Sequence, residues 1–127
     1  MLEKARQIQS LAYAPYSKFS VGCCIRTAND KYYVGCNIEN ASYSLTCCAE
    51  EAAIAAMICA GEKVIAELLV IGNTKDHITP CGACRQRIRE FANESTMVHM
   101  TNQTGEITSK SLTELLPYSF GPECLLV

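Results

Sequence analysis

The residues best equipped for chemistry fall in two stretches, Cys48-Ala49-Glu50 and, far downstream, Pro80-Cys81-Gly82-Ala83-Cys84. The thiols of Cys48, Cys81 and Cys84 can hold one zinc ion between them. Three protein ligands leave a fourth position open, and an open position marks a catalytic site rather than a structural one. Glu50 stands two residues past the first thiol, where a carboxylate outside the ligand set can reach water held at that position. Zinc lowers the pKa of its water from about 15.7 to about 7 in favourable sites. Three thiolates donate more charge than three histidines, so a smaller fall is expected here and a base at Glu50 matters more. Proton shuttling by such a group contributes about 10² to 10⁴ in rate.

Each part has a plainer reading. Cys81 and Cys84 alone would fit half of a four-thiol structural site, or a redox pair at a helix N-terminus. A structural module requires a fourth ligand, such as Cys47 or Cys36, and a redox pair requires no metal. Neither uses Cys48-Ala49-Glu50. Glu50 by itself is a good partner for a helix dipole. Taken together, the order Cys-x-Glu and then Pro-Cys-x-x-Cys resembles that of zinc deaminases, in which a non-ligand glutamate is the general acid and base. Adjacent thiols on one helical turn point apart, so Cys48 is taken as the ligand and Cys47 as packing. The other five cysteines read as small core or surface thiols. His77 and His99 lack ligand spacing and read as a loop residue and a structural strand residue.

Composition narrows the partners. A chain of 127 residues suits one domain, spanning 1–127, with a core that needs no disulfides. The net charge is −2, and Arg85, Arg87 and Arg89 are followed at once by Glu90 and Glu94. No basic stripe is left to neutralise a phosphate backbone, which excludes nucleic acid as a partner. No apolar run approaches the ~20 residues of a membrane span, and the charged N-terminus has no signal-peptide core. Nine irregularly spaced cysteines suit a reducing compartment, so a soluble cytoplasmic protein is expected.

The elements that must position these groups can be read in order. Helical periodicity covers 2–13, and Pro15 stops it. An aromatic loop follows at 13–19. Strands are expected over 20–28 and 32–36, joined by a turn at Asn29-Asp30-Lys31. The alanine-rich segment 48–60 reads as a helix closed by Gly61. The apolar run 68–71 within 64–72 suits a central strand covered on both faces. A third helix is expected over 81–93, strands over 97–100 and 106–108, a helical turn over 113–116, and an apolar tail at 125–127. Both thiol groups thus lie at helix starts, where free N–H groups and the helix dipole favour thiolate. The order predicts an α/β fold, a three-layer α-β-α sandwich with a mixed central sheet of about five strands.

These stretches also carry a family resemblance. Tyr13-Ala-Pro-Tyr-Ser-Lys-Phe19, Gly35-Cys-Asn-Ile-Glu-Asn-Ala41, Cys48-Ala-Glu50, Pro80-Cys-Gly-Ala-Cys-Arg-Gln86 and Leu115-Leu-Pro117 with Phe120 run in order across nearly the whole chain. The sequence resembles the small-subunit, all-cysteine cytidine deaminases. That resemblance implies hydrolysis of cytidine and deoxycytidine to uridine and deoxyuridine, with release of ammonia, in pyrimidine salvage. It implies Zn²⁺ on Cys48, Cys81 and Cys84, with Glu50 shuttling protons. It implies that Asn37 and Glu39 hold the ribose hydroxyls, that Phe19 packs on the base, and that Ala49 offers a backbone group to the base edge. Phe120, and with it Tyr43, would approach a neighbouring subunit's pocket in a homotetramer with shared active sites. The chemistry of the residues agrees at Asn37 and Glu39, since an amide and a carboxylate together answer hydroxyls that both donate and accept. A related deaminase of an aminoacyl-nucleoside antibiotic is the nearest enzymatic alternative, and the ribose-reading Asn37-Ile38-Glu39 favours plain cytidine.

One position departs from the resemblance. The all-cysteine enzymes usually carry an arginine after Cys-Ala-Glu that offsets thiolate charge, and here the residue is Glu51. Glu51 lies three residues past Cys48, on or near the same helical face. It is expected to turn away or to pair with a cation of the third helix, Arg85 first and Arg87 second.

Overall fold

The apolar run 68–71 lies in the central strand of the sheet. In the computed structural model, which describes residues 1–125, it belongs to β3 (Ile65–Gly72). The far end of the expected apolar tail, Leu126 and Val127, lies outside the described residues. Strand β1 (Val21–Thr27) pairs antiparallel with β3 on one side and with β2 (Tyr32–Cys36) on the other. Strand β4 (Ala92–Thr101) runs parallel to β3, and β5 (Ile107–Ser111) closes the far edge antiparallel to β4. The sheet is mixed and five-stranded, in the order β2-β1-β3-β4-β5.

Alternation along the strands divides the core. Cys23, Ile25, Leu68, Val70, Val98 and Met100 face helices α2 (Ala49–Cys59) and α3 (Gly82–Phe91). Cys24, Leu69 and Ile71 face α1 (Leu2–Gln9) through Ala5. The three expected layers are therefore present. A parallel pair such as β3 and β4 requires a crossover, and α3 is that crossover. Its N-terminus falls beyond the carboxyl end of β3, where open α/β sheets bind their ligands.

Boundaries moved where backbone groups found other partners. The first helix ends at Gln9 rather than near 13, because the Tyr13 N–H bonds the Asn37 carbonyl at 3.0 Å and leaves the helical path. The third helix ends at Phe91 rather than 93, because Ala92 already pairs with Ile65 in β4. A short helix, α4 (Leu112–Leu115), follows β5 under a capping box formed by Ser111 and Glu114.

Gly35 sets the distance between sheet and α2. A Cβ there would lie 2.3 Å from the Ala53 nitrogen and 2.5 Å from the Ala49 carbonyl oxygen. With no side chain at Gly35, α2 packs directly on β2, and its N-terminus is fixed relative to the sheet.

Candidate metal centre and active site

Two helix starts converge. Cys48 is the N-cap of α2 and Cys81 the N-cap of α3, each with extended backbone. Cys84 lies on the first turn of α3 and is fully buried, Cys48 is half-buried and Cys81 is exposed. The three sulfur atoms all lie within 4.8 Å of one another. Tetrahedral zinc with Zn–S bonds of about 2.3 Å needs sulfurs about 3.8 Å apart, so the set fits that ion with little movement. Neither N-cap side chain bonds its own helix, which leaves both sulfurs free for a ligand.

Electrostatics show why a cation belongs there. Burial pushes the Cys84 thiol far above its ordinary value, and the neighbouring Glu50, Cys48 and Cys81 charges push it further. Burial also raises Cys48. A cluster that resists becoming thiolate alone becomes a strong binding site when a divalent cation repays the charge.

Glu50 is buried on the first turn of α2, 5 % exposed. Burial raises its carboxyl above the ordinary value, while its own backbone N–H, the Cys84 thiol and the Arg87 charge pull the other way. A raised carboxyl beside a metal site is suited to both taking and returning a proton. Ala49, between ligand and base, is 1 % exposed.

Residues 37–39 are laced into the same corner. Ile38 bridges Tyr13 on one side and Cys47 on the other. Glu39 accepts hydrogen bonds from the Tyr16 N–H at 3.0 Å, the Ser17 N–H at 3.1 Å and the Ser17 hydroxyl. The Ser17 hydroxyl bond, the largest of these effects, holds the Glu39 carboxyl below its usual range. Asn37 is buried; its Oδ1 accepts from the Val21 N–H at 2.9 Å and its Nδ2 donates to the Phe19 carbonyl at 2.7 Å. One N–H and one lone pair of that amide remain for a ligand. Phe19 is half-buried against the core, its ring beside Gly72, where a Cβ would come within 3.1 Å of it. A cleft of ≈390 Å³ is lined by Tyr16, Ser17, Glu39, Tyr43 and Thr46. Neither this cleft nor a second one, ≈330 Å³ between α3 and α4, is lined by any of the three thiols.

Tyr43 is 75 % exposed and meets Tyr16 edge-on, with ring centroids 6.0 Å apart. Phe120 is 57 % exposed, and Gln86 Nε2 donates to its carbonyl at 2.8 Å. Neither ring belongs to a core cluster of this chain.

The partner of Glu51 differs from the first expectation. Arg85 donates to the carbonyls of Pro80 and Leu115, each at 2.9 Å, and so braces the start of α3 against α4. Arg87 pairs with Glu51 instead, Nη2 to Oε2 at 3.5 Å, and its Nη1 reaches Cys84 Sγ at 3.7 Å. The motif points to Arg85, whereas helical spacing points to Arg87, one turn beyond Cys84. Ser17 is a further residue of this corner that no sequence pattern marks. It sits in the aromatic loop, and only the fold brings it to Glu39. His99 bonds Glu67 and Ser109 from within β4, in keeping with a structural role.

Known proteins resemble this chain. Residues 1–100 match the model of the cytidine and deoxycytidylate deaminase zinc-binding region. A cytidine deaminase of Sporosarcina psychrophila is 40 % identical over 125 residues, covering 98 % of this chain and 92 % of its own. One from Halalkalibacterium halodurans is 38 % identical over 123 residues, covering 97 % and 93 %. The crystal structure of cytidine deaminase from Burkholderia pseudomallei superposes with a TM-score of 0.88 at 42 % identity, covering 93 % of this chain and 94 % of that one. The chain belongs to the cytidine and deoxycytidylate deaminase zinc-binding family.

Proposed function

We propose that this protein is a zinc-dependent cytidine deaminase that hydrolyses cytidine and deoxycytidine to uridine and deoxyuridine. The observation that carries the reading is the meeting of three thiols within 4.8 Å beside a buried glutamate that is not one of them. The 40 % identity to a cytidine deaminase along almost the whole chain supports the same substrate.

Cys48, Cys81 and Cys84 would hold the zinc, which when bound supplies Lewis-acid activation of water. Glu50 relays both protons of the attacking water, one to the ring nitrogen and, once the oxygen is bonded to C4, the other to the departing amine. One C–O bond forms at C4 of the base, its C–N bond breaks, and ammonia leaves. Ala49 presents backbone to the base edge and Phe19 packs on the base. Asn37 and Glu39 bind the sugar hydroxyls; Glu39 stays ionised because Ser17 and two backbone N–H groups hold it so. A site built to bond hydroxyls rejects ligands that lack them.

The assembly is a homotetramer with shared active sites. Beyond its first turn, which carries Glu50 and Glu51, helix α2 is apolar all round, with Ala55, Ala56 and Ile58 outward, and such a helix is normally covered. Exposed Tyr43, Leu45 and Phe120 add to that apolar surface. Phe120 reaches a neighbour's pocket and Tyr43 lines its rim. No helix among the described residues is long and apolar enough to cross a membrane, in keeping with a cytoplasmic enzyme of nucleoside salvage.

The test is to incubate zinc-loaded protein with cytidine and follow uridine and ammonia together. Equimolar release of both supports the reading. A zinc-replete, folded protein that forms neither would overturn it.

A further inference from the structure

We infer that Arg87 is a positioning residue for the metal centre, balancing thiolate charge from α3, and that Glu51 holds it in place. The inference rests on the zinc reading above. Three thiolates around a divalent cation leave a formal −1, and Cys84 is fully buried. Such a site needs positive charge or N–H donors aimed at sulfur.

Arg87 supplies both. Its Nη1 lies 3.7 Å from Cys84 Sγ, and its Nη2 lies 3.5 Å from Glu51 Oε2. The guanidinium is charged at every working pH, and its planar fork can serve two acceptors at once. Among the described residues, this is the one hydrogen bond from a cationic side chain to any of the three sulfurs.

The placement follows from helical spacing. Position 51 is three residues past Cys48 on α2, and position 87 is three residues past Cys84 on α3. Each therefore lies on the ligand-bearing face of its helix. Where the helices meet, 51 and 87 confront one another, so a cation at either position could serve the sulfurs. With glutamate at 51, the cation must come from 87. The Arg87–Glu51 pair is neutral as a whole, but it is oriented. The guanidinium touches Cys84, while Glu51 lies toward Cys47, and the two side chains are equally exposed, 39 % and 38 %. The sulfurs therefore meet the positive end.

A packing role and a charge role give different results under charge relocation. Zinc transfer from the loaded protein to a colorimetric chelator is measured for wild type, Arg87→Gln, Arg87→Lys and the Glu51→Arg/Arg87→Gln double variant. Removing such an outer partner typically weakens metal binding about 10–100-fold, so Arg87→Gln should release zinc at least about tenfold faster. Arg87→Lys should fall between, having the charge without the fork. The double variant should return to within about threefold of wild type, because the guanidinium is restored from the other helix. In the cobalt-substituted protein, the thiolate-to-cobalt band should move to lower energy in Arg87→Gln, since sulfur loses a hydrogen bond.

Wild-type release by Arg87→Gln, or a folded double variant that stays fast, would overturn the inference. Should Arg87→Gln alone fail to fold, a folded double variant with one zinc per chain supports it and an unfolded one contradicts it. A wild-type protein that binds no zinc would instead sink the zinc reading itself.

Discussion

Ile38 and Cys47 exchange both of their backbone hydrogen bonds, each 2.9 Å long. This pair ties the segment carrying Asn37 and Glu39 to the residue preceding Cys48, so the groups proposed to bind sugar and metal share one hydrogen-bonded strip. The Tyr13 carbonyl accepts from the Glu39 N–H at 2.8 Å and extends the strip to the aromatic loop. Amide exchange should report the coupling. Zinc removal should speed exchange at Ile38, Glu39 and Cys47 together, while the outer sheet strands change little. Acceleration at Cys47 alone would show that the two halves of the site move independently.

The packing of α2 on Gly35 makes a stability prediction. Gly35→Ala drives a methyl group into the Ala53 and Ala49 backbone. Overpacking of this kind costs about 1–3 kcal/mol or more, because backbone cannot yield as a side-chain tip does. Denaturant unfolding with chelator present should show a lower midpoint at unchanged slope, and zinc should bind more weakly because Cys48 moves with the helix. An unchanged midpoint would mean that α2 is free to shift.

Much of this was legible in the sequence because chemistry and periodicity pointed the same way. Cys48 and Cys81 precede helix-forming runs, and both became N-caps. The run 68–71 has no polar face, and it became the strand flanked by β1 and β4. Three-dimensional proximity was harder to read. Arg85 is closer to the thiols by motif, yet it is Arg87, two residues further round α3, that meets Glu51. Ser17 meets Glu39 across 22 residues of chain, and no local pattern encodes such a contact. Apolar spacing continues past Gln9 and predicts a longer first helix, whereas the backbone of Tyr13 is claimed by Ile38 and its neighbours.

The sheet face that carries α1 also holds a pH-dependent network. Glu67 accepts from Arg26 Nε at 2.6 Å and lies 2.9 Å from His99 Nε2. The Arg26 bond, and next the His99 bond, hold its carboxyl below the ordinary value of 4.5. A carboxyl lowered by folding contributes stability that is present above the unfolded pKa and lost as pH falls through the folded one. The Tm gap between wild type and Glu67→Gln, a few degrees for a domain of this size, should therefore be constant near neutrality. It should close as pH falls below about 4.5. A gap that persists to pH 3, with chelator in both samples, would assign the effect to packing rather than charge.

Sharing of sites between subunits can be tested by complementation. Phe120→Ala and Glu50→Gln should each be nearly inactive as pure assemblies. Mixed by unfolding and reassembly, they should regain turnover, since the first retains Glu50 and the second supplies Phe120 to its neighbour. Activity that merely averages the two parents would place Phe120 in its own subunit's pocket, or outside any pocket.

The central claim is that Glu50 moves the proton while the three thiols hold the metal. Its most direct measurement is cytidine turnover by wild type and Glu50→Gln at matched zinc content. Loss of the shuttle should lower kcat by about 10² to 10⁴ with zinc retained at one per chain. A Glu50→Gln protein that keeps its zinc and turns cytidine over at the wild-type rate would contradict it.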